Sequence, residues 1–431
     1  MTEKSMRESA LDVLLRVDEG EQVERALNRT DDALSDARTR ADRRHLVYTV
    51  LERQRHLDYL LDRYAKKPMH AQKRVPRLLL RLGAADLLFR ETPAHAAIYE
   101  TVAVAGKRAP YAKGFINGIL RSIERAGDAA LVVDTGDVDL DFAIRASYPD
   151  WMVAYFEEAL GTSARLVLEA GNLPSPLSLF VVPHRATREA VMAELEAECV
   201  RVRQSDLSPF ALLVDGGPVT ESAAFREGRL SIQSQPSQIA AWMAVEDFKA
   251  PRVLDLCAAP GSKSIAMAAL APGARILAND VVAEKRQYIE ENARRMGLPI
   301  ETAVHDGTVF EPLWAEAFDV VLVDAPCSGL GLVGRKPDLR WKRNPEDIPA
   351  LQQIQVALLK QAGRYVKPGG RLVYSTCTYG RAENEDVMAT VAANFVVEPF
   401  QGINRLHFTP LTEGADGFTM MRWRKLSGKT L

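Results

Sequence analysis

Cysteine is scarce. Four in 431 residues, at Cys199, Cys257, Cys327 and Cys377, are too few and too far apart for a disulfide scaffold or a zinc knuckle with its closely paired ligands. Whatever they do must lie in packing or in thiol chemistry, and no metal site is expected. Long apolar runs are missing too: nothing approaches the roughly 18 residues that a membrane helix needs, so a helical span is excluded. The first twenty residues lack the basic, apolar, then small order of a secretory leader, and a cytoplasmic protein is expected. Neither charge sign dominates, with 55 basic residues against 57 acidic ones and a net charge of −2. Taken alone, that balance argues against a nucleic-acid partner.

The average conceals an asymmetry. Residues 51–125 hold fifteen Lys and Arg against seven Asp and Glu, leaving about −10 on the remainder, and Arg63 to Arg81 contains seven basic residues and no acidic one. A basic segment on an otherwise acidic chain points to a local polyanion site, with a solvated helical face as the alternative.

At roughly 150 residues per domain the length predicts about three domains. Residues 1–127 carry helical periodicity throughout, as in Ala10, Val13, Leu14 and Val17, and in Leu78, Leu79, Leu82, Leu87 and Leu88. Sparse glycine there fits a helix bundle. The segment from Lys113 to Arg121 places Phe115, Ile119 and Ile116 on one face. Residues 128–165 read as an acidic linker, through Asp134, Asp137, Asp139 and Asp141, followed by helices near Trp151–Leu160 and Arg165–Ala170. Residues 166–236 form a small α+β unit of the RNA-recognition-motif type without its aromatic base-stacking signature. Cys199 is expected inside its helix. Residues 237–431 alternate short aliphatic runs with helical patterns, the mark of a parallel, doubly wound, Rossmann-like sheet whose ligands sit at the carboxyl ends of the strands.

The residues after those strands carry the chemistry. Cys257-Ala258-Ala259-Pro260-Gly261-Ser262-Lys263 is a small-residue turn into a helix whose unpaired N–H groups suit an anion. Asp280 ends the second strand, where a carboxylate accepts ribose hydroxyls, and Asp306 follows the third, positioned for an adenine edge. Together they outline an adenosine site without a pyrophosphate loop, which points to S-adenosyl-L-methionine. The fourth and fifth strands end in Asp324-Ala325-Pro326-Cys327-Ser328-Gly329 and Ser375-Thr376-Cys377-Thr378, so two thiols and a carboxylate can converge in one cleft. Cys199 and Cys257 read as packing residues.

These segments, with Glu383-Asn384-Glu385, resemble bacterial RNA (cytosine-C5)-methyltransferases. The helical region, with Phe115-Ile116-Asn117-Gly118-Ile119-Leu120-Arg121, looks like a NusB-type RNA-binding domain, and the combination is that of the Sun/Fmu type, also called RsmB, which acts on 16S ribosomal RNA. The resemblance spans nearly the whole chain. It departs from the family at Ser262, at Gln233-Ser234-Gln235-Pro236-Ser237 and at Leu179-Phe180-Val181. It implies Cys377 as nucleophile towards carbon 6 of cytosine, Cys327 as the thiol that helps resolve the adduct, Asp324 on the cytosine edge and beside the cofactor, and an RNA partner; the sequence does not fix the oligomeric state, and a monomer is compatible with it. Arg335, Lys336, Arg340, Lys342 and Arg343 are expected to meet phosphate, and Lys263 the cofactor carboxylate or the RNA backbone. A tRNA cytosine methyltransferase and a noncatalytic RNA-binding assembly factor are the alternatives.

Overall fold

The computed structural model describes residues 4–31, 34 and 36–427; positions 1–3 and 428–431 of the expected terminal domains lie outside the described residues. The chain forms two compact units, one of Met1–Glu157 with Val333–Arg343, the other of Glu158–Leu332 with Asn344–Leu431.

The first unit is helical. Its opening helix, Met6–Asp18, starts where the Ser5 hydroxyl accepts the Glu8 N–H, an N-cap that satisfies one of the orphan donors of a first turn. Ala10, Val13, Leu14 and Val17 share one core with Leu78, Leu79 and Leu82 of the helix Arg74–Leu88. In the helix Lys113–Ala126 the buried stripe is Ile116, Ile119, Leu120 and Ile123. That i, i+3, i+4, i+7 register turns Phe115 outward, correcting the expectation that it faces inward. The acidic linker is corrected as well. Asp137 caps a further helix, Val138–Ala146, and Asp139 and Asp141 occupy its first turn, where carboxylates complement the helix dipole.

Much of the basic segment is spent internally. Arg74 pairs with Asp18 at 2.7 Å and Glu19 at 2.8 Å, Arg77 with Asp18 at 3.3 Å, and Arg81 with Asp58 at 2.6 Å. Arg63 donates to the carbonyls of Ala130 and Val132. Residues 333–343 belong to this unit, and Arg340 is fully buried there. Its guanidinium donates to the Glu52 carbonyl at 3.1 Å and lies 4.0 Å from the Tyr148 ring centroid, while Trp341 Nε1 donates to the Leu51 carbonyl at 2.7 Å. The phosphate-facing expectation is therefore overturned for Arg340. A planar guanidinium that satisfies several carbonyls and stacks on a ring is among the few charged groups an interior tolerates.

The second unit carries two sheets. The smaller has strands β1 (Leu177–Val181), β2 (Arg201–Gln204), β3 (Ala211–Gly216) and β4 (Leu230–Ile232) in the order β2-β3-β1-β4, all neighbours antiparallel. Helices Arg188–Ala197 and Ala223–Arg226 complete a βαββαβ chain order. Leu179 and Val181 enter the core of this small fold, while Phe180 enters the core beneath the helix Gln235–Val245. Cys199 lies past its helix, exposed and at φ 63°, rather than within it.

The larger sheet has β5 (Arg252–Asp255), β6 (Arg275–Asp280), β7 (Ile300–Val304), β8 (Phe318–Asp324), β9 (Val366–Thr376), β10 (Phe395–Val397), β11 (Arg405–Phe408) and β12 (Phe418–Lys425). Its order is β10-β12-β9-β8-β5-β6-β7, with β11 paired to β12. Strands β5 to β9 are mutually parallel, as expected. The three last strands are antiparallel additions, so the sheet is mixed and not purely parallel. Strand order reverses between β5 and β8, which makes their carboxyl ends the crevice of the fold.

Candidate active site

β5 delivers the small-residue turn. Gly261 adopts φ +102°, and a Cβ there would stand 3.2 Å from Ile289, so the turn needs glycine for both conformation and space. No side chain caps the helix Ser262–Leu270 that follows, which leaves its first-turn N–H groups available to an anion. The turn hangs on β6: Ala258 N donates to the Asn279 carbonyl at 2.7 Å and Ala259 N to Asp280 Oδ2 at 3.2 Å. Asp280 Oδ1 accepts the Val282 N–H at 3.0 Å. Asp255 Oδ1 and Asn279 Oδ1 are buried without a hydrogen-bond partner. Two orphaned acceptors, a carboxylate and an uncapped helix start are the donors and acceptors that an amino acid joined to a nucleoside requires, so these residues fit S-adenosylmethionine.

Asp306 stands exposed after β7, held below the usual carboxylate range by the Thr308 hydroxyl and N–H. Burial pushes the Asp255 carboxyl up to about 7, although the Ser264 hydroxyl donates to it at 2.6 Å. Cys257 is raised by desolvation and by the nearby carboxylates of Asp255, Asp324 and Asp280, which suits an inert packing thiol.

The ends of β8 and β9 meet as the spacing of the motifs anticipates. Cys327 Sγ and Cys377 Sγ are 3.1 Å apart. Asp324 accepts from Lys263 Nζ at 2.6 Å through one oxygen and from Ser375 Oγ at 2.8 Å through the other. Lys263, expected at a cofactor carboxylate or at RNA, is instead buried against Asp324 with its ammonium 5.2 Å from the Phe418 ring centroid. A lysine loses hydration on burial and so needs a carboxylate partner. The hydrogen bond to Cys377, followed by burial, drives the Cys327 thiol well above its ordinary value.

A second ring of residues escapes sequence reasoning. Glu383, fully buried, accepts from Ser328 N at 2.8 Å, Ser328 Oγ at 2.6 Å and Gln355 Nε2 at 3.0 Å. The Ser328 and Thr378 hydroxyls are 2.9 Å apart. Glu383 stands in the quoted Glu383-Asn384-Glu385 segment, the one signal that could have found it. Residues of the departure at 233–237 make internal contacts: Gln235 bonds Ser205 and the Glu413 carbonyl, and Gln233 Nε2 donates to Ser237 Oγ at 3.3 Å.

No helix among the described residues is long and apolar enough to cross a membrane, and among them no group of three or more His, Cys, Asp or Glu could hold a metal.

The comparisons with known proteins agree with this geometry. A family model for the 16S rRNA methyltransferase RsmB/F matches residues 242–399, the NusB family model residues 4–125, and the ferredoxin-like domain of RsmF/B-like methyltransferases residues 148–220. The chain is 33% identical to the probable ribosomal RNA small subunit methyltransferase B of Bacillus subtilis, over 99% of this chain and 100% of that one. It is also 33% identical to ribosomal RNA small subunit methyltransferase B of an Enterobacter species, over 90% and 89%. The crystal structure of the protein PH0851 shares the fold, with a TM-score of 0.81, 23% identity and 99% coverage of both chains. The chain belongs to the RsmB/F family of 16S rRNA methyltransferases, enzymes that use S-adenosyl-L-methionine.

Proposed function

We propose that this protein methylates carbon 5 of a cytosine in 16S ribosomal RNA through a covalent bond between Cys377 and carbon 6 of the base. The observation that carries this reading is the 3.1 Å approach of two thiols beside a carboxylate held by Lys263 and Ser375. A methyltransferase acting on an oxygen or nitrogen, already nucleophilic, has no use for paired thiols. Carbon 5 of cytosine does, because it becomes nucleophilic only after a thiolate adds to carbon 6.

S-adenosylmethionine, when bound, supplies an electrophilic methyl carbon. The first-turn N–H groups from Ser262 to Ser264, the backbone from Cys257 to Gly261, and Asp280, Asp306 and Asp324 are the groups that would hold it. Asp324, fixed in rotamer by Lys263 and Ser375, accepts from the amino edge of the cytosine. The Cys377 sulfur forms the bond to carbon 6, and carbon 5 takes the methyl group. In the release step the carbon 6–sulfur bond breaks. Cys327 hands its proton to the departing Cys377 sulfur and accepts the proton lost from carbon 5, so both thiols finish protonated. The base must leave its stack to reach the pair.

In the same reading the helical part serves to hold RNA. Bisulfite sequencing of ribosomal RNA and tRNA from a strain lacking the gene tests it. A single 16S position loses its signal and regains it on complementation. Loss confined to tRNA, or no loss, overturns the reading.

A further inference from the structure

Glu383 is a fully buried carboxylate with no cationic partner among the described residues. Burying a carboxylate against hydrogen bonds alone is costly relative to water, and the position of its partners points to what it does. Oε1 takes the N–H of Ser328, the residue after Cys327, and Oε2 takes the Ser328 hydroxyl. That hydroxyl is 2.9 Å from the hydroxyl of Thr378, the residue after Cys377. Gln355 Nε2 bridges Glu383 to the carbonyl of Pro326, the residue before Cys327. Gly331 N donates to the Cys377 carbonyl at 2.9 Å, which ties the far end of the first loop to the second. Ser328, Gln355 and Thr378 are themselves buried, so solvent cannot substitute for any of these bonds.

We propose that Glu383 is a positioning residue for the thiol pair, clamping the loop of Cys327 to the loop of Cys377 and placing its carboxylate on the Cys327 side, so that Cys377, not Cys327, is the sulfur that attacks. This rests on the cytosine-C5 reading above and deepens it. The charge lies one residue from Cys327, and it adds to the hydrogen bond and burial that raise that thiol. Two thiols 3.1 Å apart at neighbouring strand ends would otherwise compete for the attack on carbon 6.

The test uses the full-length protein and two readouts. Carboxymethylation with iodoacetate, located by peptide mass spectrometry across pH 6 to 10, reports which sulfur is the more reactive without any RNA. Of the two site thiols, wild type labels chiefly Cys377, and Glu383→Gln, which keeps the shape and one acceptor, raises the share on Cys327 at least fivefold. Methylation of 16S RNA reports the clamp: kcat of Glu383→Gln falls at least tenfold with its pH profile displaced, while KM for RNA and the Kd for S-adenosylmethionine stay within twofold. Ser328→Ala, which removes one arm of the clamp and leaves the charge, lowers kcat and leaves the label on Cys377. An unchanged label distribution in Glu383→Gln overturns the inference, as does loss of kcat, cofactor affinity and thermal stability in parallel. Wild type that labels at Cys377 yet forms no adduct with RNA containing 5-fluorocytosine overturns the cytosine reading and leaves the labelling result standing.

Discussion

Lys263 Nζ lies 2.6 Å from Asp324 Oδ2 in a site where the lysine side chain is 9% exposed and the aspartate 31%. A lysine at the start of the cofactor helix thus serves the carboxylate at the end of β8. The pair is half-desolvated, so breaking it leaves one partner as an uncompensated charge. Lys263→Met is expected to reduce kcat about 100-fold, in line with the loss of one aligned electrostatic group. Asp324→Asn should fall at least as far, because the amide cannot accept from both Lys263 and the base. Single-turnover methylation checks both, and a Lys263→Met variant within threefold of wild type refutes the pairing as functional.

Cys377→Ala is expected to abolish both methylation and covalent complex. Cys327→Ala is expected to retain the first bond-forming step and accumulate protein linked to RNA, visible as a slow band on denaturing gels. The reverse pattern would exchange their roles.

Asp255 titrates in the opposite sense to a salt-bridged aspartate. Its folded carboxyl is raised by burial to about 7 from an ordinary 3.8, so between those values the folded state holds a proton that the unfolded chain has released. Stability from this group is therefore full below about pH 4, declines as pH rises towards 7 and levels off above. Asp255→Asn removes that decline. It should exceed wild type by about 1–3 kcal/mol at pH 8, with the gain shrinking to nothing near pH 4. Urea denaturation at the two pH values measures it, and a gain that is larger at pH 4 contradicts the assignment.

Arg340→Ala should cost roughly 2–5 kcal/mol of stability, since it strands buried carbonyls and removes a packed, ring-stacked side chain. Its RNA affinity should keep the salt dependence of wild type. A variant that folds normally but binds RNA with a shallower salt slope would restore the phosphate role that its sequence suggested.

Lys66, Lys67 and Lys73 are exposed members of the basic segment, whereas Arg74, Arg77 and Arg81 face Asp18, Glu19 and Asp58. Neutralising one lysine that meets phosphate lowers the slope of log affinity against log salt by about 0.7 to 0.9. The lysine variants should show this change and the arginine variants should show lost stability instead. Filter binding at several salt concentrations separates the two groups.

The contrast between those lysines and arginines shows where sequence reasoning stops. Strands β5 to β9 are legible because a buried parallel strand is an aliphatic run closed by a polar residue, and the closing residues, Asp280 and Asp324 among them, line the candidate site. β12 was not legible. Phe418 to Lys425 carries Arg422, Arg424 and Lys425 within a buried strand, their charges neutralised by Glu246, Glu398 and Glu316 far away in the chain. Lys263 and Arg340 eluded sequence reasoning for the same reason: a charged residue reads as exposed until its partner is known, and partners are set by topology. Cys327 and Cys377 were legible because position at a strand end, not a partner, gives them meaning.

The helical unit is closed by residues 333–343 as well as by the amino-terminal stretch, and that gives it an unusual standing as a module. A domain joined by one linker can be lost or exchanged through a single break in the gene. Here such a break would leave Arg340 and Trp341 behind, without the carbonyls of Glu52 and Leu51 that receive their N–H groups. A transplant of this unit into another scaffold therefore has to carry residues 333–343 along with the amino-terminal stretch.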